Sequence, residues 1–264
     1  MVTPAPPSRT GLWFRLLVVA LILLVVAIAV WLVRVASVPA GADLPVERPP
    51  LVEPSAQAPV AVPEAEAGPG TSGQAVGSLR PWADKISART GIPARALVAY
   101  GGAELTVRAA QPKCGLSWAT LAAIGRVESD HGRYGGAVLG EDGVPSIPIV
   151  GVPLDGAPGV RAIADTDGGR YDGDAAVDRA VGPMQFIPST WAKWSSDGNA
   201  DGATNPQQID DAALAAARYL CADGRNLTTP QGWWQGVFSY NNSNPYGQQV
   251  FTLADTYARK AARG

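Results

Sequence analysis

Residues 117–132 read SWATLAAIGRVESDHG, and the reading of this stretch decides the rest of the chain. Leu121, Ile124 and Glu128 are spaced i, i+3, i+7, so they share one helix face. Ser117 suits the cap of such a helix and Gly132 its stop, which predicts a helix from Trp118 to about Asp130. Leu121 and Ile124 require burial of that face, so a carboxyl is carried toward an apolar interior. Desolvation raises a carboxyl's pKa, and a neutral acid near pH 7 can protonate a leaving group. The same pattern also suits a buried Glu paired with an Arg, or a Glu fraying off the helix end.

Helical signals continue on both sides. Upstream, Pro81–Thr90 and Pro93–Ala109 read as helices, the first stopped by Gly91. Downstream, Pro188 fits the first turn of a helix over Ser189–Trp194. Ile209–Cys221 is an alanine-rich helix with Asp210 and Asp211 at its positive end. Pro230–Asn241 and Pro245–Ala261 complete a mostly α domain over 80–264. Between His131 and Val181 lies a long irregular segment rich in Gly, Pro and Asp. Such a length within a compact domain suits a functional loop, here a wall or lid beside Glu128. Asp165, Asp167, Asp172 and Asp174 within it read as turn residues.

His131 is the only histidine among 264 residues, which removes much of the chemical menu. Zinc sites with two or three His ligands are excluded, and a Ser-His-Asp triad would have to use His131 without a Gly-x-Ser-x-Gly elbow. No phosphate-cradling Gly-rich loop occurs. Residues 80–264 carry 17 Lys and Arg against 18 Asp and Glu with no basic stripe, so nucleic acid is not an expected partner. Chemistry must rest on carboxylates, amides, hydroxyls and aromatics.

The N-terminal part reads differently. Leu16–Val33 is an apolar run of 18 residues, about as long as a bilayer core is thick when helical. A signal anchor over 16–35, with 1–15 cytoplasmic, is favoured over a cleaved signal peptide because the run is long and no small-x-small site follows at once. Residues 36–79 hold eight prolines and no aromatic residue, and read as a disordered linker of polyproline character. In an exported domain Cys114 and Cys221 most simply form one disulfide, whereas in a cytoplasmic one they would be free thiols.

Three segments join Glu128. Gly182-Pro183-Met184-Gln185-Phe186 places an amide on a Gly-Pro turn. Ser239-Tyr240-Asn241 offers a phenol and a second amide. Tryptophans and Tyr246 supply flat apolar faces of the kind sugar rings need, although most of the tryptophans read as core. Glu128-Ser129, Gly182–Gln185 and Ser239–Asn241 resemble, in order, the Glu-Ser, Gly-Leu-Met-Gln and Ala-Tyr-Asn motifs of lytic transglycosylases and goose-type lysozymes. The run Val181–Trp191 is most similar to the membrane-bound lytic transglycosylase B-like group, and the variant looks actinobacterial. The resemblance covers roughly residues 81–258.

The resemblance implies a lysozyme-like helical fold and peptidoglycan as substrate. Glu128 would be the single acid/base catalyst that leaves a 1,6-anhydro end on N-acetylmuramic acid. Ser129, Met184, Gln185, Phe186, Tyr240, Asn241 and Tyr246 would bind substrate or support the site. An inverting muramidase would need a second carboxylate, for which Asp130, Asp165 and Asp167 are candidates; a non-catalytic wall-binding protein is the remaining alternative. Asp197-Gly198-Asn199-Ala200-Asp201-Gly202 matches the first six positions of a calcium loop, but position 12 is Gln208, so Asp211 would have to supply the late carboxylate. The family carries an EF-hand-like loop here, implying a structural Ca²⁺ at Asp197, Asn199, Asp201 and Asp211 and no cofactor for the chemistry. The expected state is a monomer, membrane-anchored, with its domain facing the cell wall.

Overall fold

The computed structural model describes residues 57–60, 64–66 and 75–263. The expectations for 1–15 and 16–35 lie outside these residues. Among the described residues no helix is long and apolar enough to cross a membrane.

Seven α-helices are described: α1 (Ala75–Thr90), α2 (Ala94–Ala110), α3 (Trp118–Ser129), α4 (Pro188–Trp194), α5 (Ile209–Leu220), α6 (Pro230–Tyr240) and α7 (Asn244–Ala262). Helix α2 packs against α1, α3 and α5, and α3 packs against α7. The apolar face of α3 is fully used: Leu121 and Ile124 are buried, as are Trp118 and Ala122. The Ser117 hydroxyl accepts the Thr120 N–H and caps the helix. The stop comes earlier than Gly132. Asp130, His131 and Gly132 all take left-handed φ, of 53°, 60° and 83°. The buried Arg95 of α2 pairs with Asp210 at the start of α5, joining the two helices in most extensive contact.

The Gly/Asp segment is built of short hairpins. Strands β1 (Val150–Pro153) and β2 (Arg179–Val181) pair antiparallel, and further single bridges join Leu139 to Pro145 and Ala164 to Val177. Its aspartates hold the turns: Asp165 accepts backbone N–H groups of Asp167, Gly168 and Gly169, and buried Asp178 accepts two bonds from Thr166. Periodicity cannot report such side-chain-to-backbone bonds.

Two expectations need correction. Helix α1 begins six residues before Pro81, because Leu79 is needed in the core. The linker reading of 36–79 also fails in part, since residues 57–60 and 64–66 form a strap along the domain. Trp234 Nε1 donates to the Gln57 carbonyl at 3.3 Å, Val60 N–H donates to Asp255, and Ala65 is buried with its N–H on Glu104. Arg108 adds an ion pair with Glu64 at 2.9 Å. Cys114 and Cys221 form a disulfide across 107 positions, worth about 4–5 kcal/mol on the chain-entropy account.

Candidate active site

Glu128 sits on the last turn of α3, half-buried. Its Oε1 accepts the Tyr246 hydroxyl from α7 at 2.6 Å. Burial pushes the carboxyl up to about 7, and the Tyr246 bond opposes this only in part. The group therefore holds a proton over part of the neutral range.

The turn Gly182–Gln185 lies beside it, closed by a pair of hydrogen bonds between Val181 and Phe186 at 2.8 and 2.9 Å. Gly182 is obligatory there: its φ is 79°, and a Cβ would overlap the Pro206 carbonyl. Gln185 is also left-handed, at φ 48°, and its Nε2 donates to the Gly182 carbonyl at 3.0 Å. Its amide is half-buried and partly spent on its own turn.

Other site residues act from beneath. Ser129 is buried, donates to the Pro183 carbonyl at 2.6 Å and accepts the Gly132 N–H at 2.8 Å. It latches the end of α3 to the turn, the supporting role expected of it. Met184 and Phe186, grouped with it as substrate-binding or supporting residues, are buried. Met184 is fully buried beside Gly125, and Phe186 packs edge-on against Trp191 and Tyr240. The alternation of the hairpin turns both inward. Tyr240 is half-buried and donates to the Met184 carbonyl at 2.6 Å, so it braces the turn, while Asn241 is exposed at the end of α6. Tyr246, expected to bind substrate or support the site, is the direct partner of Glu128.

Sequence reasoning missed the layer behind α3. Tyr100 of α2 is buried against Gly125 and hydrogen-bonds His131, which also meets Tyr257. A lone histidine directly after the helix was the available signal.

The Asp197 loop is separate from Glu128. Asp197 accepts the Asp201 and Gly202 N–H groups, and buried Asp211 accepts those of Gly198 and Asn205. Burial raises the Asp211 pKa, and the charges of Asp197 and Asp201 raise it further. Facing carboxylates of this kind suit a hard cation. Among the described residues, Asp165, Asp167 and Asp178 also bring ligand oxygens within 4.8 Å of one another.

No family model and no curated protein matches the chain. Among solved structures, the chain is similar to the Escherichia coli lytic transglycosylase Slt35 in complex with bulgecin A. The identity is 15% over 69% of this chain and 79% of that one, with a TM-score of 0.42. It is similar to Slt35 in complex with calcium at the same identity and TM-score, over 69% of this chain and 80% of that one.

Proposed function

We propose that the domain is a peptidoglycan lytic transglycosylase of lysozyme-like fold with Glu128 as its single acid/base catalyst. One observation carries the reading: a carboxyl raised to about 7 by burial, with one Oε1 on a tyrosine and no ion-pair partner among the described residues. Such a group gives a proton and takes one back.

Protonated Glu128 donates to the oxygen linking N-acetylmuramic acid to N-acetylglucosamine, and the C1–O bond breaks. The resulting carboxylate takes the proton of the muramic C6 hydroxyl as that oxygen bonds to C1, closing a 1,6-anhydro ring. Tyr246 holds the carboxyl, and the Gln185 and Asn241 amides would meet N-acetyl and hydroxyl groups of the glycan. The candidates for a hydrolase's second carboxylate are otherwise engaged. Asp130 pairs with Arg126 and Arg133, and Asp165 and Asp167 accept backbone N–H groups of their own turn. A Ca²⁺ held by Asp197, Asn199, Asp201 and Asp211 would brace the entry to α5 and take no part in the chemistry. The N-terminal apolar run would anchor the domain to the membrane, facing the wall.

Mass spectrometry of digested peptidoglycan tests this. Anhydro-ended fragments support the reading. Reducing-end fragments would replace it with a muramidase, and no release would leave a wall-binding protein. Glu128→Gln should end release while binding persists; full activity in that variant removes the assignment.

A further inference from the structure

The end of α3 is costly in a way that a helix stop does not require. One left-handed residue ends a helix, and Asp130, with φ of 53°, already supplies it. His131 also adopts a left-handed φ, of 60°, a conformation that side-chain-bearing residues rarely take. At His131 the strained backbone places the ring in the interior, where it is 2% exposed.

The ring has two partners. Nδ1 lies 3.2 Å from the Tyr100 hydroxyl of α2, and Nε2 lies 3.5 Å from the Tyr257 hydroxyl of α7. Tyr100 is fully buried and Tyr257 nearly so. Burial and the positive charges of Arg133 and Arg126 push the imidazole down to about 3, so it is neutral in the working range. A neutral imidazole has one donor and one acceptor, so it bridges the two hydroxyls in a directed chain. The His131 N–H meanwhile closes on the Gly125 carbonyl at 2.9 Å.

This chain reaches Glu128. A Cβ at Gly125 would overlap the Tyr100 hydroxyl and lie 3.3 Å from the Met184 sulfur. Tyr100 therefore rests on the α3 backbone less than one turn before Glu128 and beside the Met184 turn. Met184 in turn receives Tyr240. Three helices meet at His131, and one of them, α7, also carries the Tyr246 that holds Glu128.

We propose that His131 is a positioning residue: by bridging Tyr100 and Tyr257 it fixes the last turn of α3 so that the Glu128 carboxyl stays against Tyr246. The kinetic half of this proposal rests on the transglycosylase reading; the positioning half does not. The groups facing Glu128 are Tyr246 from α7 and Tyr240 from α6, and those facing His131 are Tyr100, Tyr257, Arg126 and Arg133.

The test compares His131→Phe, His131→Gln and Tyr100→Phe in the whole protein. Two readouts are used: kinetics on purified peptidoglycan, and Glu128 titration by carboxyl-carbon NMR, with Glu128→Gln identifying the signal. Loss of the bridge should lower kcat by about 10- to 100-fold with KM unchanged, the scale of a misplacement near 1 Å. The Glu128 titration should move down toward an ordinary glutamate as water enters. Glutamine, which can donate and accept, should restore much of both. Where His131→Phe folds too poorly, Tyr100→Phe carries the same expectation. An unchanged titration and kcat, with only a lower melting temperature, overturns the proposal. A moved titration in a protein that releases no glycan upholds the positioning role and refutes the transglycosylase reading alone.

Discussion

Helix α3 has a raised carboxyl at each end. Glu104 of α2 lies at its N-terminal end, 3% exposed, with its pKa pushed up to about 7 by burial. Glu128 lies at the C-terminal end, pushed to about 7 by the same cause. A cavity of about 540 Å³ adjoins Glu104, lined by Arg108, Leu116, Thr120 and Trp233 among others. By pKa and cavity alone Glu104 is as good a catalytic candidate. Their partners separate them. Glu104 accepts the Trp118 N–H at 2.7 Å and the Ala65 N–H at 3.2 Å, and pairs with Arg108. It fastens the strap and caps the start of α3. Glu128 has one hydroxyl, which leaves an oxygen for chemistry. A perturbed acid points to function more strongly when an oxygen is left free to meet a substrate.

The sharpest break of this contrast exchanges the two. Glu128→Gln is expected to lower glycan release by about 1000-fold or more, and Glu104→Gln by less than about tenfold, since general acid catalysis of this kind is worth roughly 10²–10⁴. Equal losses in the two assays would erase the distinction. Next, Glu104→Ala should destabilise the fold by about 2–4 kcal/mol in urea unfolding, because the buried Trp118 N–H and Arg108 lose their acceptor. A neutral result there would make Glu104 dispensable.

A smaller effect concerns Tyr246. Its bond lowers the Glu128 pKa, so Tyr246→Phe should shift the alkaline limb of the rate profile upward and cost about tenfold in kcat. Glu128 must be protonated to act as an acid, so activity in the parent protein should fall as pH rises through about 7. The smallest effect is shared. Both carboxyls rise from 4.5 to about 7 on folding. Between these values the folded chain binds more protons than the unfolded one, so stability falls as pH rises from 4.5 to 7. Thermal unfolding across that window should show a shallower slope in either Gln variant than in the parent.

The helices were legible because apolar periodicity and caps are local signals: Ser117, Pro188 and Pro230 each mark a start the structure keeps. The burial of Glu128 followed from Leu121 and Ile124 alone. Its partner did not, because Tyr246 lies 118 positions away. The inward facing of Met184 and Phe186 was not legible, because the facing of a hairpin is set by backbone angles at Gly182 and Gln185. Composition averaged over 36–79 also hid the strap, where burial of Ala65 against Gly101 and a few backbone bonds suffice.

The strap has a mechanical consequence. Tension applied to the chain before Gln57 does not arrive at α1. It arrives first at Gln57 and Val60, and passes into Trp234 and Asp255, on α6 and α7. The next fastening is Ala65 on Glu104, which sits at the far end of α3 from Glu128. A pull on the chain ahead of Gln57 is thus shared among α6, α7 and α2, and α7 is also the helix that holds Glu128 through Tyr246.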